Sequence, residues 1–225
     1  MQKIRAAVLL VSVISSARAQ DPVTAFPKNY SVLLDNSATE VIRVHYEPHA
    51  KLGVHDHSID PTVYVYLNDA GPVRFQHFEE KDFTLTRPPT MKGAFRVSPG
   101  RLEKHTVENM GDASSDFLRV ELKQIPLGRF KQAFRGPAPR SLAETRTSVE
   151  FKNQFVEIQR IVCVNSAACS IDPCPYPSVI VSFTAARQFE SGAVRWLPAP
   201  EGLKIEQDGA SPVHLLRIVI LPAQK

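Results

Sequence analysis

The sequence predicts an all-β chain built from two tandem barrel-like halves, and three observations carry that prediction. Short runs of β-branched and aromatic residues recur along the chain, many alternating in polarity with a period of two, as strands with two different faces do. Eighteen prolines are scattered between these runs, which favours many turns over long helices. A weak internal repeat relates the first half to the second.

The runs come in order. Residues 30–34, 41–46, 62–67 and 117–122 read as strands of the first half. After the strand at 41–46, Ser58, Ile59, Asp60 and Pro61 lead into a second strand. After a strand at 156–164, Ser170, Ile171, Asp172 and Pro173 precede another at 177–181. Gly111, Asp112 and Ala113 lead into residues 117–120, as Gly209 and Ala210 lead into 215–219. The stretch 128–147 is rich in proline, glycine and charge and reads as the connection. The predicted organisation is therefore a leader at 1–19, a first barrel at 20–127, a linker at 128–147 and a second barrel at 148–225. Beyond the leader no segment holds a helical period for more than about two turns, and a short helix is expected between Pro126 and Phe134.

Residues 1–19 have the order of a secretory signal. Lys3 and Arg5 open it, an apolar run follows, and Ala17-Arg18-Ala19 closes it with small residues. The apolar run is shorter than the roughly 20 residues a membrane span needs, so no anchor is expected in the mature chain. The expected product begins at Gln20 and is exported to a periplasmic or extracellular setting. Removing Lys3, Arg5 and Arg18 leaves 24 basic against 23 acidic residues, a net charge of +1. That balance excludes an electrostatic footprint for nucleic acid. The local cluster Arg129, Lys131, Arg135 and Arg140 reads as a solvated linker face.

Three cysteines are too few for a disulfide scaffold. In an oxidising compartment one pair is expected, with Cys169 and Cys174 the candidates because both sit in a proline-rich turn, and Cys163 a buried apolar side chain. Close spacing alone does not establish the geometry, so the unbridged alternative stays open.

The chemistry concentrates in histidines. His55 and His57 are two apart, so on a strand both imidazoles point to the same side and can chelate one ion. His105 follows about fifty residues later, near the turn at Ser98, Pro99 and Gly100, and before Asn109. His45, His49 and His77 lack comparable context, and His77 is expected to be exposed. No Ser-His-Asp, P-loop, zinc-finger or dinucleotide signature is present.

These residues resemble a known family. Pro48…His55-x-His57…Thr62-Val63-Tyr64-Val65 resembles the first cupin motif, and Gly93-x5-Pro99-Gly100…His105-x3-Asn109 resembles the second. The resemblance implies two tandem cupin-type jelly-roll barrels, a bicupin, with the second barrel degenerate. It implies His55, His57 and His105 as ligands of one divalent transition metal: Fe, Mn, Ni, Cu or Zn. The family's usual glutamate ligand is missing; Pro61 and Thr62 stand at its positions, with Asp60 one place early. The pattern is that of three-histidine cupins such as the thiol and diketone dioxygenases.

Thr62, Tyr64 and Tyr66 share strand parity and are expected to line the pocket, with Asn109 beside them. A site short of one negative charge favours an anionic ligand. Two functions follow as expectations: a metal-dependent dioxygenase or isomerase acting on a small anionic or polyol-like molecule, or a non-catalytic binding or structural module. In the enzyme reading His49 is the extra general-base candidate. With two barrels in one chain, both monomer and homodimer remain open.

Overall fold

The computed structural model describes residues 20–126, 128–164, 169–206 and 211–222. The leader expected at 1–19 and the turn expected at Gly209 and Ala210 lie outside the described residues.

In the first half one turn of helix, α1 (Pro22–Ala25), precedes β1 (Tyr30–Asp35), β2 (Thr39–Tyr46), β3 (Lys51–His57), β4 (Thr62–Tyr66) and β5 (Val73–Phe78). Then come β6 (Asp82–Arg87), β7 (Phe95–Ser98), β8 (Glu103–Asn109), β9 (Ser115–Leu122) and β10 (Phe134–Gly136). The second half holds β11 (Arg146–Lys152), β12 (Val156–Cys163), β13 (Cys169–Ile171), β14 (Ser178–Ser182), β15 (Val194–Leu197), β16 (Leu203–Ile205) and β17 (Val213–Ile220). Asp21 caps α1, its carboxylate accepting the Thr24 amide, and Pro22 supplies the fixed φ of a first helical residue.

The strand orders expose the repeat. One sheet runs β1-β2-β9-β4-β7-β10, and its counterpart runs β11-β12-β17-β14-β15. Both begin with the same device. The Asn36 side-chain oxygen accepts the amides of Ala38 and Thr39 between β1 and β2, and that of Asn153 accepts those of Phe155 and Val156 between β11 and β12. Each hairpin carries a register shift, at Val32/Leu34 and at Val149/Phe151. The two sheets pack on each other through one apolar cluster: Val63, Val65, Leu118 and Val120 from the first, Val156, Ile158, Leu216 and Ile218 from the second. Strands such as β9 and β17 are thus buried on both faces.

The second sheets differ. The first half closes its barrel with four strands, β3-β8-β5-β6, whereas among the described residues the second half has the pair β13-β16. That pair joins Cys169 to Ile205 and Ile171 to Leu203 inside an apolar cluster, with no imidazole or carboxylate at these positions.

Three expectations are corrected here. α1 is the only helix among the described residues; around Pro126 the chain forms turns, and Phe134 lies in a strand. The 128–147 stretch is also not wholly a connection, because β10 within it pairs with β7, Phe134 opposite Val97 and Gly136 opposite Phe95. A Cβ at Gly136 would run into the Phe95 ring, so only glycine lets this strand approach. Arg129, Lys131, Arg135 and Arg140 are all exposed.

The disulfide joins Cys163 to Cys169, not Cys169 to Cys174; Cys174 is free. Cys163 ends β12 and Cys169 opens β13, which brings their Cα atoms to 5.7 Å. Closing so short a loop contributes about 2 kcal/mol by chain entropy. Cys163→Ser or Cys169→Ser is therefore expected to lose about that much in urea unfolding, with Cys174→Ser unchanged. Thiol titration of the denatured, unreduced chain is expected to find one thiol; two or three would refute this pairing.

Candidate metal centre and its cavity

β3 and β8 pair antiparallel with His55 directly opposite His105. A register shift between Leu52 and His55 marks a bulge at Gly53 and Val54, where glycine tolerates the altered backbone. The bulge turns the Gly53 carbonyl to the ring of the next-but-one residue, 2.9 Å from His55 Nδ1. Past it, His55 and His57 share a face. The three rings form a near-equilateral triangle with centroid separations of 4.9, 4.8 and 4.9 Å. One nitrogen of each lies within 4.8 Å of the others.

Burial holds these imidazoles neutral. It lowers His55, which is fully buried, and lowers His57 well below the ordinary value with help from the Arg119 charge. It takes His105 down to about 2, against an opposing pull from Glu103. Neutral imidazole is the ligating form. His57 Nδ1 and both nitrogens of His105 are buried without a hydrogen-bond partner. Unpaired buried polar atoms are costly, and one nitrogen from each of the three rings, drawn close together, fits a divalent ion.

Above His55 stands a chain of hydroxyls. Tyr30, 1 % exposed, lies 3.0 Å from His55 Nε2 and 2.7 Å from the Tyr46 hydroxyl. The Gly53 carbonyl can only accept, so neutral His55 carries its proton on Nδ1 and offers a lone pair at Nε2. Tyr30 then donates to Nε2 and accepts from Tyr46.

On the other side is a buried ion cluster. Arg119 donates to Glu103, to the Tyr64 hydroxyl and to Glu121, each at 3.1 Å. Burial opposes ionisation of Glu103, but the Arg119 charge, aided by Arg101, pulls its carboxyl down to about 2. The Arg96 guanidinium lies 3.8 Å over the Tyr64 ring, with its Nε buried and unpartnered.

His57, Tyr64, Tyr66, Arg96, Glu103, His105 and Arg119 line one cavity, which Arg87 also enters. The cavity volume is about 50 Å³, enough for a few waters. A wider hollow of about 220 Å³ adjoins it through Tyr66, Arg87 and Arg96.

Other sequence candidates sit elsewhere. Thr62 does not line this cavity. It lies two residues, about 6.6 Å, along β4 from Tyr64, bonds the Asp60 carbonyl, and faces a separate cleft with Ser58 and Asp60. Asp60 itself accepts from Ser58. Asn109 is not pocket-lining either. Its amide donates to the carbonyls of Tyr46, Glu47 and Ala113 and its oxygen accepts from Gly111, which makes it a clamp on the barrel's turns. His49 is in an exposed turn, paired with Asp112.

His77 is buried at 2 % exposure rather than exposed. It stands opposite His105 across β5 and β8, stacks on Phe83 at 4.5 Å, bonds Glu79 at 3.0 Å and lines the cavity. Its parity with Val73 and Phe75 on an alternating strand was the available signal. Glu103 and Arg119 were also missed. Glu103 shares parity with His105, but in β9 Arg119 and Glu121 alternate with Leu118, Val120 and Leu122, so alternation marks Arg119 as solvent-facing.

Because His57, His105 and His214 (the last held at about 3 by burial and the Arg160 charge) stay neutral when folded, the unfolded chain binds more protons below about pH 6.5. Their depressed values favour folding at high pH and cost stability as pH falls. Glu103 adds stability present above about pH 4.3 and lost towards about 2. The urea midpoint of the metal-free protein is expected to fall steadily from pH 7 to pH 4. A flat profile would mean these groups are hydrated.

No family model and no curated protein matches the chain by sequence. Solved structures do match by shape. The protein YhaK from Escherichia coli aligns with a TM-score of 0.59 at 8 % identity, over 91 % of this chain and 99 % of that one. Bacterial pirin YhhW from Escherichia coli, in complex with nickel(II), aligns at 0.60 and 12 %, over 86 % and 92 %. Oxalate decarboxylase from Bacillus subtilis, studied for its Mn(II) centres, aligns at 0.54 and 11 %, over 88 % and 77 %. The chain has the fold of a two-barrel cupin, and its first barrel carries a three-histidine cluster suited to a divalent metal.

Proposed function

We propose that this chain is an exported cupin that holds one divalent transition metal at His55, His57 and His105 and acts on a small anion as a dioxygenase or isomerase. The observation that carries the reading is the shared cavity: two of the three histidines and the guanidinium groups of Arg87, Arg96 and Arg119 line it, against the single carboxylate of Glu103. Of the anionic and polyol-like ligands expected from sequence, the excess of positive charge favours the anion. A bound ion would supply a Lewis acid with open coordination positions. The chain's own residues bind and orient: the arginines hold the anion, and Tyr64 and Tyr66 present hydroxyl-bearing rings to it. Nickel(II) in pirin YhhW and Mn(II) in oxalate decarboxylase support a metal in this fold without choosing its identity. The Cys163–Cys169 disulfide supports export, since such bonds persist in oxidising compartments.

A non-catalytic binding module is the second reading. It is favoured by the ion pairs of Arg119 with Glu103 and Glu121, which already offset much of its charge. The test is oxygen uptake and product analysis with a panel of small mono- and dicarboxylates on metal-loaded protein, beside Arg96→Met. Turnover of an acid that weakens in Arg96→Met supports the enzyme. Saturable binding of the acid without turnover supports the module, and neither binding nor turnover contradicts the anion reading.

A further inference from the structure

We infer that the Tyr30 hydroxyl oxygen is a fourth ligand of the metal, standing where the cupin pattern lacks its glutamate. This rests on the metal reading of His55, His57 and His105. The case is geometric. Two ligand atoms each about 2.1 Å from one ion and at right angles are about 3.0 Å apart, and Tyr30 oxygen lies 3.0 Å from His55 Nε2. Its ring is also 5.4 Å from that of His55 and 5.8 Å from that of His57, so it approaches two members of the triangle.

The hydrogen-bond chain explains how the oxygen is delivered. Tyr30 donates its proton to the one nitrogen of His55 that a metal would use, because Nδ1 is committed to the Gly53 carbonyl. An ion taking that lone pair removes the acceptor of the Tyr30 proton. The proton leaves to solvent as the oxygen–metal bond forms, and the Tyr46 hydroxyl, 2.7 Å away, still donates to the oxygen. Placement is rigid. Tyr30 opens β1, paired with Val44, and Phe26 at the end of α1 packs edge-on against His55. The N-terminal segment thus brings an oxygen ligand from outside the two motifs.

The experiment loads the full metal-free chain with copper(II) and records absorption, resonance Raman and affinity for wild type, Tyr30→Phe and Tyr46→Phe. The expected result is a phenolate-to-copper charge-transfer band whose Raman excitation enhances tyrosinate ring modes in wild type. Tyr46→Phe should shift it. Tyr30→Phe should still bind one copper per chain, without the band and about 10–100-fold more weakly, the range set by losing a supporting group at a metal site. Copper bound by wild type with no tyrosinate modes overturns the Tyr30 assignment and leaves the histidine site standing, and needs no variant. An unchanged band in Tyr30→Phe does the same. Failure of wild type to bind copper overturns the metal reading beneath it.

Discussion

Arg119→Met is expected to lose about 3–5 kcal/mol of folding stability, the cost of removing one partner from a buried ion cluster. Arg119 is 3 % exposed and its neighbours Glu103 and Glu121 are 7 % and 1 % exposed. The guanidinium satisfies both carboxylates and the Tyr64 hydroxyl from three directions. Methionine has a similar stem but no charge, so both carboxylates are left desolvated and must take up protons to stay inside. Adding Glu103→Gln and Glu121→Gln to Arg119→Met should recover most of the loss, since a neutral set avoids the buried charge. Urea unfolding of metal-free protein at pH 7 measures both. A loss below about 1 kcal/mol, the worth of an exposed pair, would show that water reaches the cluster.

His105→Leu is expected to act in the opposite direction. Both ring nitrogens of His105 are buried and unpaired, so the metal-free fold carries their desolvation cost with no hydrogen bond in return. An apolar side chain removes that cost, and stability of the metal-free protein should rise by about 1–3 kcal/mol while metal binding is lost. Wild type recovers the difference only when loaded, by about 4 kcal/mol at a metal concentration 1,000 times the dissociation constant. A fold strained at a ligand position and relieved by its ligand is what a functional site looks like energetically. Destabilisation of the metal-free protein by His105→Leu would instead make His105 a structural residue.

The fold was legible in sequence where strands have unlike faces. Residues 41–46 and 62–67 alternate, and the structure finds β2 and β4 there. The repeat read from Ser58–Pro61 and Ser170–Pro173 reappears as matching strand orders in the two large sheets. It failed where short-range signals compete with long-range pairing. The stretch after Pro126 carried no sign that Phe134 pairs with Val97, because that contact depends on the distant Phe95 ring and on Gly136 fitting beside it. The disulfide was misplaced for a similar reason: turn composition pointed to Cys174, but strand ends decide which sulfurs meet, and those of β12 and β13 hold Cys163 and Cys169.

The site divides the same way. The structure brings His55, His57 and His105 together because strand parity and an antiparallel pair suffice to place them. Tyr64 and Tyr66 share the cavity, whereas Thr62 and Asn109 bond backbone groups outside it. Parity gives the face of a strand but not the depth along it. Tyr30 and Arg119 come from strands outside the motifs, and only the closed barrel carries them to the histidines.

Elemental mass spectrometry on the full chain, beside a His55→Ala/His57→Ala double variant, decides whether these histidines hold a metal. About one transition metal per chain is expected in wild type and none in the folded double variant. Wild-type protein with no metal, and none retained after iron, manganese, nickel, copper and zinc are each supplied, would contradict that expectation.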